Sequence, residues 1–337
     1  MGNTLKGVLK KSKNAIIVRK IYEDWQLKRR FNAGNPESLH GSTHSTIITS
    51  TDQSVDYILT QFEDYLQYSG LTVEDLQGKR IFELGFGDNV GVALKFIAVG
   101  ASQVVCLDKF YSKRDMGHQL EIYRALRNRL TDEERKRFDA AVTLSSTVEL
   151  NPDKVRCIYG VDVENAGELQ NIEKFDLVLS RGAIQDIYEP EAAFRAMDQI
   201  LKPGGLMLHK IDLSDQGMFR ANGMNPLTFL TIPESVYKLM ALNSGKPNRK
   251  LTSYYRDVMT SLGYEPTILV TDIIGVGDVG KGNLHPHKAS IKLGEDYSEA
   301  TLELIQGIRS KLQPRYRELP DLELMVDGIF LIAKKPA

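Results

Sequence analysis

Long hydrophobic runs are missing from this sequence. The longest, such as Ile329 to Ala333, fall far short of the roughly 20 apolar residues that a transmembrane helix requires, so no segment is expected to span a bilayer. The N-terminus has no continuous apolar stretch followed by a small-residue cleavage site, which leaves no secretory signal, and the expected location is the cytoplasm. Met1-Gly2 does not complete a myristoylation signal, because Lys6 stands where Ser or Thr is wanted. Only two cysteines occur, Cys106 and Cys157, both within apolar stretches. Reduced thiols are expected there, with neither a disulfide nor a metal assigned. Net charge is missing too: Lys and Arg number 43 against 44 Asp and Glu, so no global charge points to nucleic acid as a partner. What is present is 337 residues, 42% of them hydrophobic, enough to bury one large core or two small ones in an ordinary soluble enzyme.

The chain divides into a first stretch of helix and irregular segments, 1–75, and a longer domain, 76–337, with insertions at about 214–263 and 275–327. In the first stretch "STDQ" from Ser50 is a capping pattern, and Val55, Ile58, Leu59, Phe62, Tyr65 and Leu66 recur at helical spacing up to Gly70. "GSTHSTIITSTD" before it is expected to be a loop. From Arg80 to Leu213 short apolar segments alternate with amphipathic ones, the pattern of a parallel sheet with crossover helices. Strands are expected at Ile81–Leu84, Val104–Leu107, Val155–Tyr159, Phe175–Ser180 and Leu206–Leu213, with a helix from Pro190 ended by "LKPGG". There is no internal repeat and no low-complexity tract.

"RIFELGFGDNVG", Arg80 to Gly91, delivers a strand into a glycine turn. A dinucleotide fingerprint would have G-x-G-x-x-G, with the pyrophosphate on the following helix N-terminus. Here Val90 occupies the third glycine position, and Gly91 stretches the spacing to G-x-G-x-x-x-G. Glu83, two residues before Gly85, would repel a pyrophosphate but accept hydrogen bonds from an amino group. The turn therefore suits a ligand that is cationic on that side and free of phosphate. No P-loop lysine follows, which disfavours a nucleoside triphosphate.

These residues resemble the class I S-adenosylmethionine-dependent methyltransferases, whose first motif is an acidic residue, any residue, then Gly-x-Gly. Asp108, ending "VVCLD", stands where that family binds both ribose hydroxyls; Asp162 in "YGVDVEN" stands near the adenine amino position, which Glu164 could serve instead. "FDLVLSRGAIQDI", with Ser180, and "ILKPGGLMLHKIDL" match the fourth and fifth strands, and "GYEPTILVTDI" and "DGIFLIAKK" resemble the antiparallel final pair. The resemblance implies an α/β, Rossmann-like seven-stranded sheet, parallel with a final antiparallel strand. It implies helices on both faces, with the N-terminal and cap segments as helical additions. Glu83, Gly85, Gly87, Asp108, Asp162 and Ser180 would bind S-adenosyl-L-methionine. "HKIDLSD" and "NRKLTSYYRDVMTSLGYEP" are most similar to bacterial small-molecule and glycan-modifying members. Each residue also has a plainer reading: a glycine turn is often only structural, and Asp108 by itself would serve as a helix cap.

On the acceptor side, methyl transfer to a hydroxyl needs a proton removed. His209, at the end of the fifth strand, has a side-chain type suited to that at neutral pH. The alternative is a packed strand histidine bonded to a backbone carbonyl. Asp186, Asp212 and Asp215 lie in neighbouring loops, to orient His209 or bind sugar hydroxyls; His209 with Asp212 and Asp215 as a divalent-cation site is a weaker alternative, and no metal is assigned. Arg249 and Tyr254, with Tyr255 and Arg256, are candidates for gripping an anionic or carbohydrate acceptor from a helical cap. His285 and His287 are expected to be exposed loop histidines. The expected activity is methyl transfer to oxygen of a small molecule or saccharide. The alternatives are a nicotinamide-dependent oxidoreductase, opposed by Glu83 and Val90, and a cofactor-binding but inactive partner subunit. No oligomeric state is assigned.

Residues 5–30 carry nine Lys or Arg against only Glu23 and Asp24. Ile17, Ile21 and Trp25 fall at i, i+4 and i+8, so a helix here would present an apolar stripe flanked by cations, suited to transient contact with an anionic membrane surface. The alternative is that this stripe packs on the core while the lysines face water.

Overall fold

The computed structural model describes residues 12–34, 50–112, 116–165, 173–278 and 291–337. His285, His287 and most of the Ser/Thr-rich stretch lie outside the described residues. Helix α1 (Lys13–Asn32) starts at Ser12, whose hydroxyl accepts the N–H of Ala15 at 3.3 Å. Helix α2 (Thr51–Ser69) begins where the capping pattern places it: the Ser50 hydroxyl accepts the N–H of Gln53 at 3.3 Å, and Gly70, in the left-handed region at φ 73°, ends it. Then follow β1 (Arg80–Leu84), α3 (Gly91–Ala98), β2 (Gln103–Asp108), α4 (Met116–Asn128) and α5 (Asp132–Ala141). A small hairpin, β3 (Val142–Leu144) with β4 (Val148–Leu150), precedes β5 (Val155–Tyr159), β6 (Phe175–Arg181), α6 (Pro190–Ile200) and β7 (Leu201–Asp212). The remainder supplies α7 (Glu234–Ala241), α8 (Thr252–Ser261), β8 (Thr267–Ile273), β9 (Gly277–Asp278), α9 (Glu299–Arg309) and β10 (Val326–Lys334). The architecture is the expected α/β Rossmann-like one, a seven-stranded sheet with antiparallel final strands and flanking helices. The two-residue β9 is an addition at its end.

Two compact units emerge. The first comprises Gly34–Arg181, Ala192–His209 and Ile332–Ala337. Its strands run in the order β5-β2-β1-β6-β7, and β1 is parallel to both β2 and β6, as β2 is to β5. The chain thus builds outward from β1 to β2 and β5 and then returns to β6 on the other side. That reversal opens a crevice at the carboxyl ends of β1 and β6, where open α/β sheets bind ligands. Ile81, Phe82, Val104, Val105, Cys106, Leu107, Val178 and Leu179 are all buried, the near-continuous apolar pattern of strands covered on both faces. One difference from expectation lies at "LKPGG", which is strand rather than turn. Gly204 N–H donates to the carbonyl of Lys335 at 3.0 Å and Lys335 N–H donates to that of Gly205 at 2.8 Å. These bonds to the C-terminal segment hold the backbone extended.

Gly91 has a packing role. A Cβ there would lie 2.3 Å from the Cδ1 of the buried Ile58 on α2, so the third glycine of the turn lets α2 press against the start of α3. Phe62 of α2 meets Phe96 of α3 edge-on, with centroids 5.0 Å apart.

The second unit comprises Met1–Ala33, Gly182–Glu191 and Lys210–Leu331, and its strands follow the order β10-β8-β9. Here α1 packs on α7. The buried Asp24 accepts the N–H of Asn243 at 3.1 Å, its side-chain amide at 2.5 Å and the N–H of Ser244 at 2.8 Å, tying α1 to the end of α7. These bonds choose the inward face. Ile16, Asp24 and Leu27 are buried, Ile17 and Ile21 only half-buried, and Trp25 is exposed. The stripe expected from spacing is therefore rotated: a buried carboxylate with three donors outweighs the apolar pattern. Among the described residues no helix is long and apolar enough to cross a membrane.

Replacing Asp24 by Ala leaves two backbone N–H groups and an amide without their acceptor. Charged hydrogen bonds contribute about 1.5–3 kcal/mol each and are not additive, so urea denaturation of Asp24→Ala should show a loss of about 2–4 kcal/mol. An unchanged midpoint would mean that α1 is held by something other than this contact.

Candidate cofactor and acceptor sites

In the first unit the turn after β1 places Gly85 at φ 74° and Gly87 at φ 68°. Side-chain-bearing residues avoid this left-handed region, which explains both glycines. Asp108, at the carboxyl end of β2, fastens the turn: one oxygen accepts the N–H of Gly87 at 3.3 Å and the other that of Phe110 at 2.9 Å. Glu83 is buried in β1 and receives the thiol of Cys106, its register partner on β2, at 3.6 Å. Burial pushes its carboxyl up to about 7, and the thiol only partly offsets this. A cation arriving beside it would stabilise the ionised form.

Two N–H groups at the start of α3, those of the cap residue Val90 and of Gly91, have partners within the protein. Val90 N–H donates to the hydroxyl of Tyr123 at 2.9 Å, and Gly91 N–H to the side-chain oxygen of Asn89 at 2.9 Å. Those two donors are the ones nearest the turn, and the third glycine of a dinucleotide fingerprint is replaced by Val90.

Two loops flank Asp108. Lys109 after β2 pairs with Asp162 after β5 at 2.6 Å, so one of the two adenine-side candidates carries an ion pair. The other, Glu164, has its carboxyl raised by burial. Three rings that the motifs do not announce gather here: Phe86 of the turn lies 5.2 Å from Tyr159, and Tyr159 lies 5.3 Å from Tyr111. Tyr159 is the register partner of Asp108. The sequence signal was an aromatic residue inside the glycine turn and another at a strand end.

Ser180 and His209 require correction. Both are fully buried, and the Ser180 hydroxyl and His209 Nδ1 are 2.8 Å apart. The imidazole edge meets the ring of Phe194 at 5.5 Å, and burial pushes its pKa down to about 3. His209 therefore stays neutral at any working pH. This is a packed strand histidine with a serine partner in place of a carbonyl, and the geometry argues against a general base. Ser180, bonded to it inside the sheet, is likewise poorly placed to touch a cofactor. Nε2 of His209 has no hydrogen-bond partner among the described residues.

The second unit holds the acceptor-side candidates. Asp186 accepts the amide of Gln216 at 2.8 Å and pairs with Lys246 at 2.9 Å. Burial raises its carboxyl, Lys246 opposes that, and the charge of Asp212 adds to the rise. Asp212 accepts the N–H of Ser214 at 2.8 Å. Asp215 is fully buried, and its oxygens accept the N–H groups of Gly217, Phe219 and Arg220 at 2.9, 2.7 and 2.8 Å. It shapes its own loop and is not available to a sugar or a cation. Arg249 is also corrected. It is buried, donates to the carbonyls of Phe229 and Ile232 at 3.3 and 2.7 Å, pairs with Glu234, and lies over the Tyr237 ring at 3.7 Å. Both terminal nitrogens of its guanidinium are bonded within the protein. Tyr254 is half-buried under Lys250, whose Nζ sits 4.7 Å from the ring centre, whereas Tyr255 is buried against Asn248 and Arg256 is exposed. Among the described residues no group of three His, Cys, Asp or Glu is arranged to hold a metal ion.

A methyltransferase domain family matches residues 83–209, a span that starts at the buried Glu83. By structure the chain is similar to Haemonchus contortus phosphoethanolamine N-methyltransferase 2 in complex with S-adenosyl-L-methionine, with 16% identity, 87% of this chain and 59% of that chain covered, and a TM-score of 0.42. It covers therefore less than two thirds of that relative. It is also similar to the plantazolicin methyltransferase BpumL in complex with SAH, with 13% identity, 95% and 99% covered and a TM-score of 0.39. A third is the YcgJ protein from Bacillus subtilis, with 13% identity, 80% and 99% covered and a TM-score of 0.39. No curated protein matches the sequence.

Carbon-13 NMR of labelled glutamate should find Glu83 titrating near pH 7, as its burial requires. Cys106→Val removes a donor to the charged form and should move the midpoint higher. A midpoint in the ordinary carboxylate range in the unaltered protein would contradict the environment described.

Proposed function

We propose that the protein, whose residues 83–209 match a methyltransferase domain family, uses S-adenosylmethionine to transfer a methyl group to oxygen of a small polar molecule or a saccharide, in the cytoplasm. The observation that carries the cofactor assignment is the presence of Glu83 and Asp108 on either side of a glycine turn, with the N–H groups of Val90 and Gly91 bonded within the protein. Such a turn fits a ligand with a cationic amine and a ribose and no phosphate. Glu83 receives the amine, Asp108 the two ribose hydroxyls, and Phe86 and Tyr159 form an apolar wall beside them. The aromatic edge and the loop of Asp162 and Glu164 serve the adenine.

S-adenosylmethionine supplies a methyl group on a sulfonium, open to in-line attack by an acceptor lone pair. The chain's own contribution is to hold the acceptor and take up its proton. We assign that proton to Asp186, whose burial raises its carboxyl toward the range useful to a base. Asp212 beside it accepts hydrogen bonds from acceptor hydroxyls, and Tyr254 offers a half-buried ring. The carboxylate-rich character of this set favours a hydroxyl-bearing acceptor over an anionic one.

Three outcomes test this reading. S-adenosylhomocysteine should bind by calorimetry and NAD should not, and Asp108→Ala should weaken binding by about 1.5–3 kcal/mol. Affinity should rise with pH up to about 7 and level off above it, since Glu83 must be ionised to receive an amine, and Glu83→Gln should flatten that rise. With an acceptor in hand, Asp186→Asn should lower turnover by roughly 10²–10⁴ with cofactor affinity intact. Retained turnover would move the base elsewhere, and tight NAD binding would overturn the cofactor assignment.

A further inference from the structure

Five of the eleven large hydrophobic residues that stand exposed among the described residues lie on one pair of packed helices. On α1 these are Val18, Tyr22 and Trp25, exposed by 67%, 55% and 48%; at α7 they are Leu239 and Leu242, exposed by 61% and 46%. Val18, Tyr22 and Trp25 fall at i, i+4 and i+7, so they form one stripe on the side of α1 opposite Ile16, Asp24 and Leu27. Tyr22 and Trp25 stack with centroids 6.0 Å apart, and the guanidinium of Arg29 lies 4.8 Å from the Trp25 ring centre. The Asp24 contact to Asn243 and Ser244 seats the helices on one another. Trp25 and Leu242 each adjoin that contact in the chain.

Cations surround the stripe. Lys28, Arg29 and Arg30 on α1 and Lys238 on α7 are exposed, while Glu23 is half-buried and paired with Lys20 at 2.9 Å and with the exposed Arg19 at 3.6 Å. A second copy of the chain would bring these cations against their own equivalents in a two-fold interface. An anionic bilayer surface instead neutralises them and takes up the aromatic rings at headgroup depth, where Trp and Tyr partition best.

We infer that α1 and α7 dock on an anionic phospholipid surface, with Val18, Tyr22, Trp25, Leu239 and Leu242 entering the interface and the surrounding Lys and Arg meeting the headgroups. The chain lies on the surface without crossing it. This is independent of the acceptor proposed above.

Trp25 is the only tryptophan of the sequence, so intrinsic fluorescence of the full chain reports this face directly. Phosphatidylglycerol-containing vesicles should shift its emission to the blue and carry the protein into the pellet, and salt should reverse both. Phosphatidylcholine vesicles should do neither. Lys28→Ala with Arg30→Ala leaves the Arg29–Trp25 contact in place and should weaken partitioning by about tenfold or more, at about fivefold for each cation near the surface. Tyr22→Ser with Leu242→Ser should weaken it through the apolar term, with circular dichroism unchanged because both side chains are exposed. No blue shift with anionic vesicles, or equal binding to neutral ones, overturns the inference. So does a blue shift that depends on protein concentration without lipid, which would mean self-association, or a shift with polyglutamate but not vesicles, which would mean an acidic protein partner.

Discussion

A carboxylate inside an apolar sheet is the constraint from which the cofactor side of this protein follows. Glu83 sits among the buried side chains of β1 and β2 with a thiol as its neighbour. Burial of an ionised carboxyl is costly, and a weak donor such as a thiol recovers little of that cost. The group is therefore held near neutrality, ready to gain a charge when a cation arrives. Beyond it the chain turns on Gly85 and Gly87, and Asp108 holds that turn to the end of β2 through the N–H of Gly87.

The same turn differs from a dinucleotide fingerprint in its donors as well as its glycines. In dinucleotide sites the helix after β1 offers its N-terminal amides to phosphate. Here the N–H groups of Val90 and Gly91 bond to Tyr123 and Asn89, and the third glycine stands one place later, where a Cβ would meet Ile58.

Much of this was legible in the sequence because it is local. Strand periodicity, the Ser50 and Gly70 boundaries of α2, the glycine turn and the terminal Asp108 depend on neighbours a few residues apart. What was not legible depends on partners far along the chain. His209 looked like a titratable group at a strand end, and its neutrality comes from complete burial, with Ser180 and Phe194 against its ring. Arg249 looked like a free cation, and its guanidinium is absorbed by carbonyls of Phe229 and Ile232 and by Glu234. The face of α1 was misjudged because spacing favours Ile17 and Ile21, whereas Asp24 finds three donors more than 200 residues away. Polar contacts between distant segments are invisible to periodicity, and they decided each of these cases.

The seating of Ile58 against Gly91 separates two kinds of boundary. The inherited module, as the family match draws it, begins at Glu83. The compact unit begins earlier, because Ile58 of α2 lies against Gly91 and Phe62 against Phe96 of α3. A fragment cut at the matched span would therefore lack the side chains that cover Gly91 and Phe96: α2 belongs to the packing of the glycine turn although it precedes that span.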